Sequence, residues 1–347
     1  MRTLLLALGL LLAPVMTAGA VSSDECRPLR DRQLNGHTFQ LPILQQSALV
    51  TTHVGLREGL ARYDVPDVPF GENGRRDVLL VGVQQTLDLG LRLTDWLALS
   101  GFARGTIVLG TDAPSLVAQG GTLDLVGQAG LVVRLLRNDT SGTQISLRAS
   151  GGIDRGKDLT LLPFARAIVD DPLPTLEDVV TGEVAQYLLE PSSEKIANGG
   201  VYLAQALGQS FSLQASGAAE YAWQKRTPFN TLAGARLEQT TYAVRVTLAA
   251  ALTADLHPRL GIPIAVMGEY LFLTGRQTSV LFPDRTLNSS TLALGVYYSG
   301  RPHLQLGVGA VTTLKAEPRR GLGPRGMTQE SGEPTLSYGQ FILRYIF

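Results

Sequence analysis

The sequence predicts an all-β protein: an antiparallel transmembrane β-barrel of about 12 strands, with long loops on one side and short turns on the other. Three observations carry this. Apolar and polar residues alternate with period two from about residue 47 to the C-terminus. The connections between alternating segments are short and long in turn, the habit of barrels that cross membranes. No later stretch supplies the ~18 or more consecutive apolar residues of a membrane-spanning helix.

The chain begins with an export pattern. Arg2 is followed by the apolar run Leu4–Leu12 and by Ala18-Gly19-Ala20, a small-residue cleavage site. The run is too short to span ~30 Å of hydrocarbon, so residues 1–20 are expected to be a signal peptide. Residues 21–46 are expected to form an N-terminal periplasmic extension, and 47–347 the barrel. Cys26 is the single cysteine, which excludes an internal disulfide. Glu25 before it disfavours a lipid anchor, leaving a free thiol as the simpler reading.

Each strand is read from its faces. Val81, Val83, Leu87, Leu89 and Leu91 oppose Gln84, Thr86, Asp88 and Arg92, and Thr94-Asp95-Trp96 turns the chain. Leu99, Ala103, Ile107 and Leu109 then oppose Ser100, Phe102, Arg104 and Thr106. The alternation recurs at 123–135, 145–154, 211–223, 241–252 and 262–272, and less cleanly at 47–60, 199–207, 290–299 and 303–314. Short turns are expected near 94–96, 137–143, 208–210, 256–259 and 299–303. Long connections are expected near 62–77, 110–121, 157–197, 225–237, 276–289 and 315–334. In 157–197, Thr175 is a candidate N-cap for a helix ended by Pro191, and Leu161, Leu162, Phe164, Ile168 and Val169 need a packing surface. This insertion reads either as a constriction or lid, or as a self-packed cap.

The last strand places Phe341, Leu343, Tyr345 and Phe347 on one face and Gln340, Ile342, Arg344 and Ile346 on the other. This ending resembles the C-terminal signature of bacterial outer-membrane β-barrels. The resemblance implies a Gram-negative outer-membrane location, contact with outer-membrane lipids, and recognition of the four-residue stripe by the barrel-assembly machinery.

The 30 basic and 30 acidic residues balance, which gives no footprint for nucleic acid. Of the four histidines, His257 and His303 fall in short turns, His37 in the extension and His53 on a strand. No Ser or Asp cluster accompanies His53 in sequence, so no catalytic set can be assembled. Metal-ligand spacing is absent, and no cofactor is expected. The lumen-facing candidates are Asp88, Arg92, Arg104, Asp124, Arg134, Arg148, Asp154, Glu220, Arg245, Glu269 and Arg344. Ionisable groups at membrane depth are tolerated when they pair or line water. A turn centred on His257 would set Arg245 opposite Glu269. Gly90, Gly130, Gly152, Ala218, Ala249 and Gly295 on the same face suggest open volume. The expected function is an outer-membrane pore or porin-like transporter for an unidentified small solute. A non-conducting structural or surface-interaction barrel, or an outer-membrane lipid-acting enzyme, are the alternatives; Pro263 suggests a strand kink for a lipid-like substrate.

Deleting Phe347 is expected to lower the amount of barrel in the outer membrane far more than it changes the activity per folded molecule. Membrane fractionation with immunoblotting checks this, and undiminished assembly would refute the signal.

Overall fold

The computed structural model describes residues 31–69, 74–111, 121–159, 189–227, 229–230, 235–236, 238–279, 284–316, 320–322 and 328–347. Twelve antiparallel strands close into one barrel. They are β1 (His53–Pro69), β2 (Arg75–Arg92), β3 (Leu97–Gly110), β4 (Gly121–Asn138), β5 (Thr143–Leu159) and β6 (Leu189–Ala206). The second half is β7 (Phe211–Arg226), β8 (Gln239–Asp255), β9 (Ile264–Ser279), β10 (Arg285–Tyr298), β11 (Leu304–Leu314) and β12 (Thr335–Ile346). Neighbours in sequence are neighbours in the sheet, and β12 pairs with β1 from Thr335↔Asp64 to Ile346↔His53. Closure leaves no backbone edge to face lipid.

The alternation sorts as its chemistry demands. Val83, Leu89, Leu125, Val244, Leu248, Leu294 and Phe341 are all exposed on the outer wall, where hydrocarbon replaces water. Aromatic rings mark both limits of this wall. At the short-turn end Tyr345 and Phe347 meet edge to face, with centroids 4.9 Å apart. At the other end Trp223 stacks on Tyr242 at 6.4 Å, with the Lys195 and Lys225 ammonium groups 5.2 and 5.6 Å from its ring centroid. Phe211 and Trp223 lie on one strand, about 40 Å apart along it at ~3.3 Å per residue. A usual ~40° tilt turns that into roughly 30 Å of membrane normal, the thickness of a hydrocarbon core.

Strands run from 11 residues in β11 to 18 in β2, where about 9–11 suffice to cross a bilayer. Several expected long connections are therefore partly strand. The 62–77 segment is mostly β1 and β2, interrupted by a bulge between Val65 and Val68. Pro66 has no N–H to give there, and Asp67 takes φ 51°. The 157–197 insertion shrinks likewise, because 157–159 and 189–197 are strand. Its expected helix at 175–190 lies outside the described residues except for its end, and so do the signal peptide and Cys26.

The short turns use side-chain acceptors. Thr94 Oγ1 accepts the Trp96 and Leu97 N–H groups, and Asn138 Oδ1 accepts those of Thr140 and Ser141 at 3.0 Å. The β8–β9 connection is longer than a tight hairpin. It holds a one-turn helix, α1 (His257–Leu260), ended by Gly261 at φ 68°, where a side chain would be strained. Pro263 belongs to this connection and not to a strand, so it makes no kink in the wall. The extra turn moves the hairpin centre and sets Ala251, not Arg245, opposite Glu269.

Inward-facing glycines make room for neighbours. A Cβ at Gly295 would stand 2.6 Å from the Tyr297 hydroxyl, and one at Gly307 would stand 2.6 Å from its ring. Gly90 would meet His53 at 2.5 Å. These positions are filled by adjacent side chains and do not enlarge the lumen. Gly307→Val is expected to displace the buried Tyr297 and cost about 1–3 kcal/mol, read as a lowered urea midpoint for the refolded barrel.

Candidate functional site: a lumen occupied by the N-terminal segment

The lumen of the short-turn half is filled by the chain itself. The described part of the expected extension, residues 31–46, does not reach away from the barrel; it continues through residues 47–52 along the inside of the wall. A two-residue hairpin, Gln33–Leu34 with His37–Thr38, leads in. It is tied to the turns by Asn35 N–H to Asp139 O at 3.0 Å and by an Arg92–Asp31 ion pair. Phe39, Leu41 and Leu49 then pack with Tyr202, Ala204 and Ile346. Ile43 packs with Met267, Ala293, Tyr297 and Ile342.

Residues 39–48 form neither helix nor strand, so their buried main chain has no ladder to complete it. Side chains of the wall take that role. Glu269 accepts the N–H groups of Ile43 and Leu44 on its two oxygens, at 2.7 and 2.8 Å. Gln305 exchanges both amide bonds with Leu41, at 3.1 and 3.0 Å. Arg344 donates to Leu41 O at 2.6 Å, Pro42 O at 3.0 Å and Asp88 Oδ2 at 2.8 Å. Arg57 donates to Ile43 O, Arg148 to Ser47 O, Gln214 to Gln40 O, and Gln144 and Ser146 to Ala48 O. Each neutral bond contributes about 0.5–1.5 kcal/mol net, and those to charged groups about 1.5–3. None is covalent.

The lumen candidates all face inward, but they fall into separate groups. Asp88, Arg148, Glu269 and Arg344 hold the segment or its holders. Arg92 closes the short-turn end on Asp31, where Arg134 stands beside Arg137 and Asp95. Towards the other mouth, Arg245 bridges Glu194 at 3.0 Å and Glu220 at 2.8 Å; Glu220 is its direct register partner. The expected Arg245–Glu269 contact is absent for the register reason given above. Asp124 and Asp154 come together on adjacent strands, with Arg104 in their field. The wall there is not uniformly polar, since Val65, Val68, Val78, Leu80 and Val108 cluster on its inner face.

The fold also gives His53 a carboxylate neighbour that its sequence context lacks. Its Nδ1 lies 3.0 Å from Thr51 Oγ1, and Asp88 is within electrostatic reach. Above the segment lies a cavity of about 340 Å³, bounded by Leu41–Ser47 and by Arg57, Asp88, Phe102, Arg104, Arg148 and Arg344. Residues 40–48 carry no period that marks them as lumen-bound. The available signal was chemical: "FQLPILQQ" mixes apolar and polar residues without sustained alternation, a few residues before the first barrel strand.

No protein-family model matches the chain, and no curated protein matches it. Solved structures of similar fold include the translocator domain of the autotransporter NalP from Neisseria meningitidis, at 8% identity and TM-score 0.49, covering 86% of this chain and 89% of that one. An outer membrane channel from Pseudomonas putida F1 is similar at 11% identity and TM-score 0.45, covering 95% and 100%. The transport unit of the autotransporter AIDA-I from Escherichia coli is similar at 8% identity and TM-score 0.43, covering 94% and 98%.

Docking of the segment is linked to pH through His37. Its Nδ1–H donates to Gln209 O at 2.9 Å. Burial nonetheless holds the imidazole below its ordinary 6.5, against the opposing pull of Gln209 O and Asp255. A released His37 binds protons more readily than a docked one. Docking is therefore strongest above pH 6.5, weakens as pH falls below it, and levels off once the docked ring also titrates. A spin label at Gln46→Cys, in a chain with Cys26 replaced, is expected to gain mobility on acidification below pH 6.5. His37→Gln is expected to flatten that profile.

Proposed function

We propose that this chain is an outer-membrane channel or transporter for small polar solutes, held shut in the described state by its own N-terminal segment. One observation carries the reading. The obstruction is a non-covalent element whose main chain is bonded by wall side chains that water can replace. A permanent core has no need of that arrangement, since apolar side chains pointing inward fill a narrow barrel more stably than charges do. The outer half supports the same reading, with ionisable groups lining its inner wall. The apolar girdle between aromatic limits supports a bilayer setting. The loop asymmetry and the Phe347 ending support the outer membrane, its lipids and the barrel-assembly machinery as partners.

The chain is read as a non-enzyme. His53, the histidine on a barrel strand, sits under the N-terminal segment beside Arg344 and far from the outer rim. A second reading, a non-conducting structural barrel, is favoured by the burial of Phe39, Leu49 and Val50 against the wall, which resembles a permanent core.

Planar bilayers separate the two. Removal of residues 31–48 is expected to raise single-channel conductance several-fold over the full chain. An intact, inserted barrel that stays non-conducting after the deletion would establish the structural reading instead.

A further inference from the structure

We propose that the cavity above the N-terminal segment is a binding site for a small organic carboxylate, and that the segment's carbonyl oxygens stand in for that anion in the closed state. The inference rests on the channel reading for its physiological use, though not for its chemistry.

Charge points to an anion. Four guanidiniums, of Arg57, Arg104, Arg148 and Arg344, border the cavity against one carboxylate, Asp88. Asp88 is already bonded to Arg344 at 2.8 Å. Glu269, the next acid in the wall, is turned to the N–H groups of Ile43 and Leu44. Asp154, which faces Arg104, is engaged with Asp124. Counting Glu269 with Asp88 still leaves more guanidiniums than carboxylates at the cavity.

Hydrogen bonding points the same way. Arg57 Nε, Arg104 Nε and Gln340 Nε2 are buried N–H groups of lining residues with no protein acceptor, while Asp88 Oδ1 is the one buried side-chain acceptor of the lining without a donor, among the described residues. Donors in excess of acceptors are what an oxyanion satisfies. The donors that are satisfied take neutral carbonyl oxygens of the segment: Leu41 and Pro42 on Arg344, Ile43 on Arg57, Ser47 on Arg148. A carboxylate is the stronger acceptor and matches the guanidinium fork. Its arrival competes with these carbonyls, so the solute itself loosens the segment. A volume of about 340 Å³ admits a short organic acid, and Phe102 supplies an apolar surface for its carbon body.

Arg104 is the discriminating position, because no hydrogen bond ties it to the segment and its replacement leaves the closure in place. Calorimetry on the purified barrel in detergent, with succinate as probe, is expected to show salt-sensitive binding. Succinamide, of the same shape without charge, and putrescine are expected to give none, and inorganic phosphate to bind more weakly than succinate. Arg104→Gln is expected to weaken succinate at least ten-fold. The barrel lacking residues 31–48 is expected to bind succinate more tightly, since the competing carbonyls are gone. Equal binding of succinamide, tighter binding of phosphate, an unchanged Arg104→Gln variant, or no binding by either form of the barrel would overturn the proposal. Succinate flux into vesicles is read separately. Binding without flux overturns the channel reading and leaves the site standing, and flux without binding does the reverse.

Discussion

A polypeptide backbone buried without a neighbouring strand must take its hydrogen bonds from side chains, and the closed end of this barrel is arranged around that need. The wall pairs its own main chain strand to strand by closing on itself, apart from the bulges at Val65–Val68 and Arg134–Leu136. The segment at 39–48 has no such ladder. Glu269, Gln305, Arg344, Gln214 and Arg148 reach from five different strands to supply what it lacks. Charged groups in a membrane protein's interior are costly alone. Here the cost is offset by bonds to carbonyl and amide groups that would themselves be costly if left bare.

The two halves of the lumen differ for this reason. Near the short turns the side chains are committed to the segment, and apolar clusters around Phe39 and Ile43 exclude water. Further out, Glu194, Arg245 and Glu220 satisfy one another across adjacent strands. Arg32 shows the strain of the first environment: burial pushes its pKa down to about 10, and its Nε and Nη1 find no acceptor. The contrast is between groups held by a removable partner and groups held by the wall.

Much of the fold was legible because lipid and lumen impose opposite chemistry on alternate residues. Val83 against Gln84, or Leu248 against Thr247, reveals its side directly. Strand ends were less legible. Arg75–Leu80 and Leu189–Ala197 continue past the hydrocarbon, where the outer face needs no apolar side chains and the period fades. Register failed at one turn because His257–Leu260 forms a helical turn that no alternation encodes. The site was legible in half. Arg148, Glu269 and Arg344 announced an inward face, but their partners are main-chain atoms of Leu41, Ile43 and Ser47, and main-chain atoms leave no trace in a sequence.

Arg344 has a consequence for the order of events during biogenesis. It sits on the closing strand, near the end of the chain, yet it grips Leu41 and Pro42 near the beginning. The segment therefore cannot make these bonds until the closing strand has joined the wall. Before that moment its apolar residues lack the wall neighbours that cover them in the closed barrel. Closing the cylinder and filling its lumen are thus successive steps joined through one guanidinium, and the second waits on the first.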